Sequence, residues 1–196
     1  MDQLTNQQPK TKEQLRLEIL EKRAKLTPLD VDVRSMVIAM LALNTDEFKN
    51  AKTIFTYASY NNEASTNYFI WKARLLGKKI CAPKVKGAEM FPARILGQRS
   101  LRPNIFGIPE PGFLSFKVAP EKVDLIIVPG SVFDMTGHRI GSGKGYYDRY
   151  LAANKHNAKT MGFAFDFQVI DKIPAEPHDI KVDKIITEKR IIDCND

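Results

Sequence analysis

At 196 residues the chain is long enough to bury a core of its own, and no apolar run in it approaches the roughly 18 residues that a membrane helix needs. Thirty Lys and Arg against 23 Asp and Glu leave a net charge of +7. That balance suits an anionic cargo, but aromatic and basic residues are not interleaved as in an RNA-binding signature, so nucleic acid is not the expected partner.

Taken in chain order, the first ten residues (M-D-Q-L-T-N-Q-Q-P-K) lack an apolar signal core. They read as a disordered lead-in to a single domain over residues 11–196, and the protein is expected in the cytoplasm. Thr11-Lys12-Glu13-Gln14 fits a capping box and opens a helix to about Lys25, with Leu15, Ile19 and Leu26 toward one side. Thr27-Pro28-Leu29-Asp30 opens a second helix, proline at its first position, to about Leu43. Thr53 to Ala58 reads as a strand, Asn67 to Leu76 as a helix stopped by Gly77, and Lys79 to Val85 as a strand. Trp71, between Phe69 and Leu75, is expected to pack in the core. Glycines and prolines make residues 87–120 a loop with short strands.

Val123 to Val128 is an apolar, β-branched strand stopped by Pro129-Gly130. A loop follows with four glycines in nine positions, Gly137, Gly141, Gly143 and Gly145. A helix near Tyr146 to Lys155, a strand near Thr160 to Phe165 and a last strand near Lys184 to Thr187 complete the pattern. Strands alternating with helices predict an α/β fold, a mainly parallel sheet covered by helices on both faces. Cys81 and Cys194 lie too far apart to found a disulfide or zinc framework. His138 and His156 are expected at the surface.

Strand, glycine loop and helix in this order present bare backbone N–H groups to a phosphate. Lys144 and Arg139 add positive charge there, and Asp148 is the hard oxygen ligand that a phosphate-bound Mg²⁺ takes. Neither common glycine motif is present. The P-loop pattern fails because Gly145 follows Lys144 and His138 stands at the first glycine; the dinucleotide pattern fails at Tyr146. A flexible connector would also be glycine-rich, though it has no use for the flanking cations and the acid.

Arg139-Ile140-Gly141-Ser142-Gly143-Lys144-Gly145-Tyr146-Tyr147-Asp148, preceded by Pro129-Gly130 and Phe133-Asp134, resembles the signature loop of the 5-formyltetrahydrofolate cyclo-ligase (methenyltetrahydrofolate synthetase) family. Lys12-x-x-Leu15-Arg16, Tyr57-x-Ser59-x-x-x-Glu63-x-x-Thr66 and Phe106-Gly107-Ile108-Pro109-Glu110-Pro111 resemble its other elements. Gly162-Phe163-Ala164-Phe165-Asp166 and His178-Asp179-x-x-Val182-Asp183 resemble its C-terminal ones. The resemblance implies the fold shared with ribose-phosphate isomerases and CoA transferases. It also implies ATP- and Mg²⁺-dependent closure of 5-formyltetrahydrofolate to 5,10-methenyltetrahydrofolate, on a reduced folate carrying a glutamate tail, by a monomer or weak homodimer.

Site roles follow from motif and resemblance together. Lys12 and Arg16 stand at i and i+4 near a helix start, where two cations repel each other and oppose the helix dipole. An anion would relieve both, and the resemblance makes it the ATP phosphates; two solvated side chains are the plain alternative. Arg139, Ile140 and the backbone from Gly141 through Ser142, Gly143, Lys144, Gly145 and Tyr146 to Tyr147 would cradle the triphosphate. Lys144, Arg139 and Tyr146 would act on the transferring group. Asp148, otherwise an ordinary first-turn acid, and Asp179 would hold the metal, with His178 orienting Asp179. For the folate, the resemblance points to Ala58, Glu63, Phe106, Ser142 and Tyr146: Glu63 on the pterin edge, Phe106 stacking, Tyr146 closing the pocket beside the formyl group.

Two other readings stay open on the residues alone. A sugar-phosphate or acyl-CoA enzyme on the same fold would keep an anion loop without needing Lys12, Arg16 or Glu63. A non-enzymatic folate- or RNA-binding protein would tolerate loss of the phosphate loop.

Overall fold

The structure, a computed structural model, describes residues 10–113, 115–154, 158–176 and 178–195. Residues 1–9, His156 and the end of the last predicted helix at Lys155 lie outside them. Both capped helices form as predicted. In α1 (Lys12–Ala24) the Thr11 hydroxyl accepts from the Gln14 N–H while the Gln14 side chain accepts from the Thr11 N–H. In α2 (Pro28–Leu43) Thr27 and Asp30 make the same reciprocal pair. A short helix, α3 (Asp46–Asn50), leads into β1 (Thr53–Thr56), which stops two residues before the predicted end. Then come α4 (Asn67–Leu75), β2 (Lys79–Lys86) and β3 (Glu89–Ile95).

The main sheet has seven strands, ordered β12-β11-β9-β6-β1-β2-β3. Here β6 is Leu125–Val128, β9 Lys159–Phe163, β11 Lys184–Ile186 and β12 Ile191–Asp193. The pairings β2/β1, β1/β6, β6/β9 and β9/β11 are parallel, and the two edge pairs, β2/β3 and β11/β12, are antiparallel. Side chains alternate between faces, so Ile54, Leu125 and Ile127 join α2, α3 and α4 in one core. Phe55, Ile126 and Val128 join α5 (Tyr146–Asn154) in the other. Helices cover both faces, as the continuous apolar strands require.

Some expectations need correction. Residues 87–120 were expected as a loop with short strands; β4 (Leu101–Pro103) and β5 (Pro109–Pro111) are such strands, but β3 occupies the first part as a full seven-residue strand. Pro92 interrupts the propensity there, and as an edge strand β3 tolerates the missing N–H. The stretch before the signature loop holds a hairpin, β7 (Val132–Asp134) with β8 (Arg139–Ile140), and β7 also pairs with β10 (Val169–Ile170). Trp71 is 53% exposed. Phe69, Ile70 and Ala73 form the buried face of α4, which leaves Trp71 and Leu75, four residues apart, on the opposite side.

The small sheet fixes the loop that matters. α1 packs its Ile19 on Val132, Ile140 and Ile173. Asp134, fully buried, accepts from the N–H groups of Thr136, His138 and Ile173 and so sets the turn before Arg139. The predicted surface His138 is largely covered, its ring beside Thr136 and Asp134. Phe133 lies so close to Gly130 and Gly162 that a Cβ at either would overlap its ring.

Candidate active site

From β1 the chain runs through β2 to β3 at one edge, then returns to β6 on the other side of β1. This reversal places a crevice at the carboxyl ends of β1 and β6, the position where open parallel sheets bind ligands. A cavity of about 480 Å³ lies there, of the size of small-molecule clefts. Its walls come from the segments that follow β1 and β6, from α1, from the β2–β3 hairpin, from the turn before β5, and from the loop between β8 and α5.

Twelve of the sequence-predicted site residues line it: Arg16, Ala58, Glu63, Phe106, Arg139, Gly141, Ser142, Lys144, Gly145, Tyr146, Tyr147 and Asp148. Lys12, Ile140, Gly143 and Asp179 do not. The Ile140 side chain is in the core with Ile19, so the site can use only its backbone.

One end of the cavity is cationic. Arg139 is 4% exposed; its Nη1 donates to Asp148 Oδ1 at 3.0 Å, while its Nε and Nη2 have no hydrogen-bond partner among the described residues. A buried guanidinium with idle donors is costly unless an anion accepts from it. Arg16 Nε donates to the Gly141 carbonyl at 3.0 Å, tying α1 to the glycine loop, and Arg16 also pairs with Glu13. Gly143 and Gly145 adopt φ of +89° and +63°, a backbone region that other residues rarely enter, and α5 begins directly after them. The loop therefore opens onto a helix N-terminus, the arrangement that receives phosphate.

The other end has an apolar wall and the carboxylates Glu63 and Glu110, the second accepting from Asn104 Nδ2. Pro83, Val85 and Met90 form a wall, and Glu63 accepts from the Tyr60 N–H at 3.0 Å. Burial pushes the Glu63 carboxyl above the usual carboxylate range, against the pull of that N–H and of Arg23. The buried Tyr147 hydroxyl has no partner among the described residues, and burial beside Glu63 drives its ionisation far up, so it stays a neutral donor. The two ends meet where Lys144 lies over the ring of Phe106.

Lys12 and Asp179, assigned to phosphate and metal, pair with each other: Lys12 Nζ is 2.7 Å from Asp179 Oδ2 and 3.4 Å from Glu176. Glu176, His178 and Asp179 approach closely enough to hold a metal ion, but the Lys12 ammonium already supplies a cation there. His178 stands 3.9 Å from Asp179 and is mostly exposed. The predicted Lys12–Arg16 repulsion is thus met by carboxylates, Asp179 and Glu176 beside Lys12 and Glu13 of the same helix beside Arg16.

A model of the 5-formyltetrahydrofolate cyclo-ligase family matches residues 8–188. The chain belongs to that family. It is 32% identical to the 5-formyltetrahydrofolate cyclo-ligase of Haemophilus influenzae over 89% of this chain and 96% of that one. The solved 5,10-methenyltetrahydrofolate synthetase of Aquifex aeolicus superposes with a TM-score of 0.83 at 35% identity, covering 94% of this chain and 93% of that one. A second, from Mycoplasma pneumoniae, gives 0.73 at 26% identity over 90% and 98%. The motif resemblance is borne out across nearly the whole chain.

Sequence reasoning missed Arg23. It lines the cavity with Arg16 and Leu20, at the i, i+4, i+7 spacing of one helix face. That spacing was the available signal. Gln168 was also missed: its Nε2 donates to the carbonyls of Gly130 and Ser131 at 3.1 and 2.8 Å and anchors the turn after β6.

Proposed function

We propose that the chain catalyses ATP-dependent closure of 5-formyltetrahydrofolate to 5,10-methenyltetrahydrofolate, releasing ADP and phosphate. The observation that carries this reading is one cavity with two chemically different ends: idle buried guanidinium donors beside a glycine loop, and a desolvated acid beside an apolar wall.

The formyl amide on N5 has a poorly electrophilic carbon and an oxygen that cannot leave. Transfer of the γ-phosphoryl group to that oxygen breaks the bond to ADP and makes the oxygen a leaving group. N10 then attacks the carbon, loses its proton, and phosphate departs as the ring closes. Neither step requires a covalent nucleophile from the protein, which positions the reactants and stabilises charge. Arg139 with Nε and Nη2, Arg16 and the N–H groups from Gly141 to Tyr147 bind the triphosphate. Lys144 neutralises the phosphoryl oxygens in flight. Glu63 accepts from the amino edge of the pterin, Phe106 stacks on its ring beside Ala58, and Tyr146 with Ser142 closes over the formyl group.

Asp148 fits a magnesium ligand, as a carboxylate on the cavity wall at the foot of the phosphate loop. Bound there, Mg²⁺ would neutralise phosphate charge. Lys12 and Asp179 enter this reading together: a phosphate drawing the Lys12 ammonium away would free the Asp179 carboxylate for the metal. A glutamate tail on the substrate and action as a monomer or weak dimer in the cytoplasm complete the proposal. Titration calorimetry with a non-hydrolysable ATP analogue and with 5-formyltetrahydrofolate, apart and together, tests it. Both should bind to one copy of the chain simultaneously; mutual exclusion, or no folate binding by folded protein, would contradict it.

A further inference from the structure

Arg23 is 5% exposed near the end of α1, yet it lines the cavity. Its Nε donates to the Asn62 carbonyl at 3.1 Å and its Nη2 to the Asn61 carbonyl. The contact is reciprocal. Asn62 Nδ2 donates to the carbonyls of Arg23 at 3.2 Å and Leu26 at 3.5 Å, in the last turn of the helix and just beyond its end.

Asn61 and Asn62 adopt φ of 50° and 56°. Asparagine tolerates this left-handed region best among non-glycine residues, but two in succession persist only where the surroundings impose them. The clasp to Arg23 is that imposition. Directly after it comes Glu63, whose N–H donates to the Tyr60 carbonyl at 3.2 Å while its carboxylate accepts from the Tyr60 N–H.

We infer that Arg23 is the positioning residue of the folate half of the site: it clasps α1 to the Asn61 and Asn62 carbonyls and thereby sets where Glu63 stands in the cavity. The inference rests on the folate reading proposed above. Planarity matters, because a guanidinium holds its donors in a fixed fork that matches two carbonyls, and a flexible ammonium does not. Charge matters as well. Glu63 is faced by Arg23 from α1, Tyr57 from the end of β1 and Tyr147 from α5, and Arg23 is the cation of that set. Burial raises the Glu63 carboxyl and Arg23 opposes the rise, so removing the guanidinium shifts Glu63 further toward its protonated form.

The test uses the full chain with Arg23→Lys and Arg23→Met. Folate and ATP-analogue affinities are measured across the mildly acidic to neutral range, and amide exchange at Tyr60 and Glu63 is followed without ligand. Arg23→Met should weaken folate binding by about tenfold or more, leave the nucleotide nearly unaffected, and move the acid limb of folate affinity to higher pH. Arg23→Lys should lose part of the affinity with the limb in place, because the charge remains and the rigid two-donor fork does not. Both should exchange faster at Tyr60 and Glu63.

Unchanged folate affinity in Arg23→Lys would overturn the inference, even if Arg23→Met fails to fold. Equal losses for folate and nucleotide with an unmoved limb would reduce Arg23 to a general prop. A wild-type chain that binds no folate would sink the function reading alone, and the ligand-free exchange measurement would still decide the clasp.

Discussion

The Nζ of Lys144 lies 4.4 Å from the ring centroid of Phe106. One residue belongs to the glycine loop and the other to a turn organised by Asn104, whose Oδ1 accepts from the N–H groups of Phe106 and Ile108. The contact joins the cationic and aromatic ends of the cavity, and it predicts that each partner fails in its own way. Lys144→Ala should lower turnover roughly a hundredfold with little change in folate affinity, because its charge matters most in the transition state. Phe106→Ala should raise the folate KM roughly tenfold with a smaller effect on ATP. Steady-state kinetics with each substrate varied separates the two; matching effects would show that the residues act as one structural unit.

Glu63→Gln replaces a charged acceptor by an amide with one acceptor and one donor, mismatching a substrate donor. Folate affinity should fall by roughly ten- to a hundredfold while ATP binding stays nearly constant. The wild-type acid limb of folate binding should be absent in this variant, since affinity that depends on an ionised Glu63 is lost as pH falls through its raised pKa. Titration of each ligand at several pH values decides it, and an equal loss for ATP would place Glu63 in the wrong half.

Gly162, on β9, faces the edge of the buried Phe133 ring, which also presses on Gly130. Gly162→Ala should cost about 2 kcal/mol by overpacking, or roughly 4–8 °C in melting temperature for a chain of this size. Thermal denaturation followed by circular dichroism tests this, and a change below about 1 °C would mean that the ring yields freely.

Acid should weaken the fold in part through Asp166. Burial alone would raise its carboxyl, but hydrogen bonds from Arg190 and Thr187 outweigh burial and hold it below the ordinary range. A depressed carboxylate contributes stability that is present above its unfolded pKa and lost as pH falls through the folded one. Asp166→Asn should melt lower at neutral pH and lose less on acidification. Parallel melting curves for wild type and variant from neutral to acidic pH would contradict the assignment.

What was legible in the chain follows from how local each signal is. Thr11 with Gln14 and Thr27 with Asp30 announced their helices within four residues, and Leu125 to Val128 announced a strand buried on both faces. The glycine loop was legible for the same reason. Trp71 was not, because α4 carries apolar residues on two faces and periodicity alone does not choose between them. Arg23 escaped notice because its partners are backbone carbonyls almost forty residues away, which no side-chain pattern records. Lys12 and Asp179 were each found by motif, but their pairing across 167 positions belongs to the fold.

The most direct test is conversion itself. Purified chain with ATP, Mg²⁺ and 5-formyltetrahydrofolate should build up the absorbance of the methenyl product, with ADP and phosphate released in amounts equal to it. A folded preparation that consumes no ATP in the presence of this folate would contradict the account.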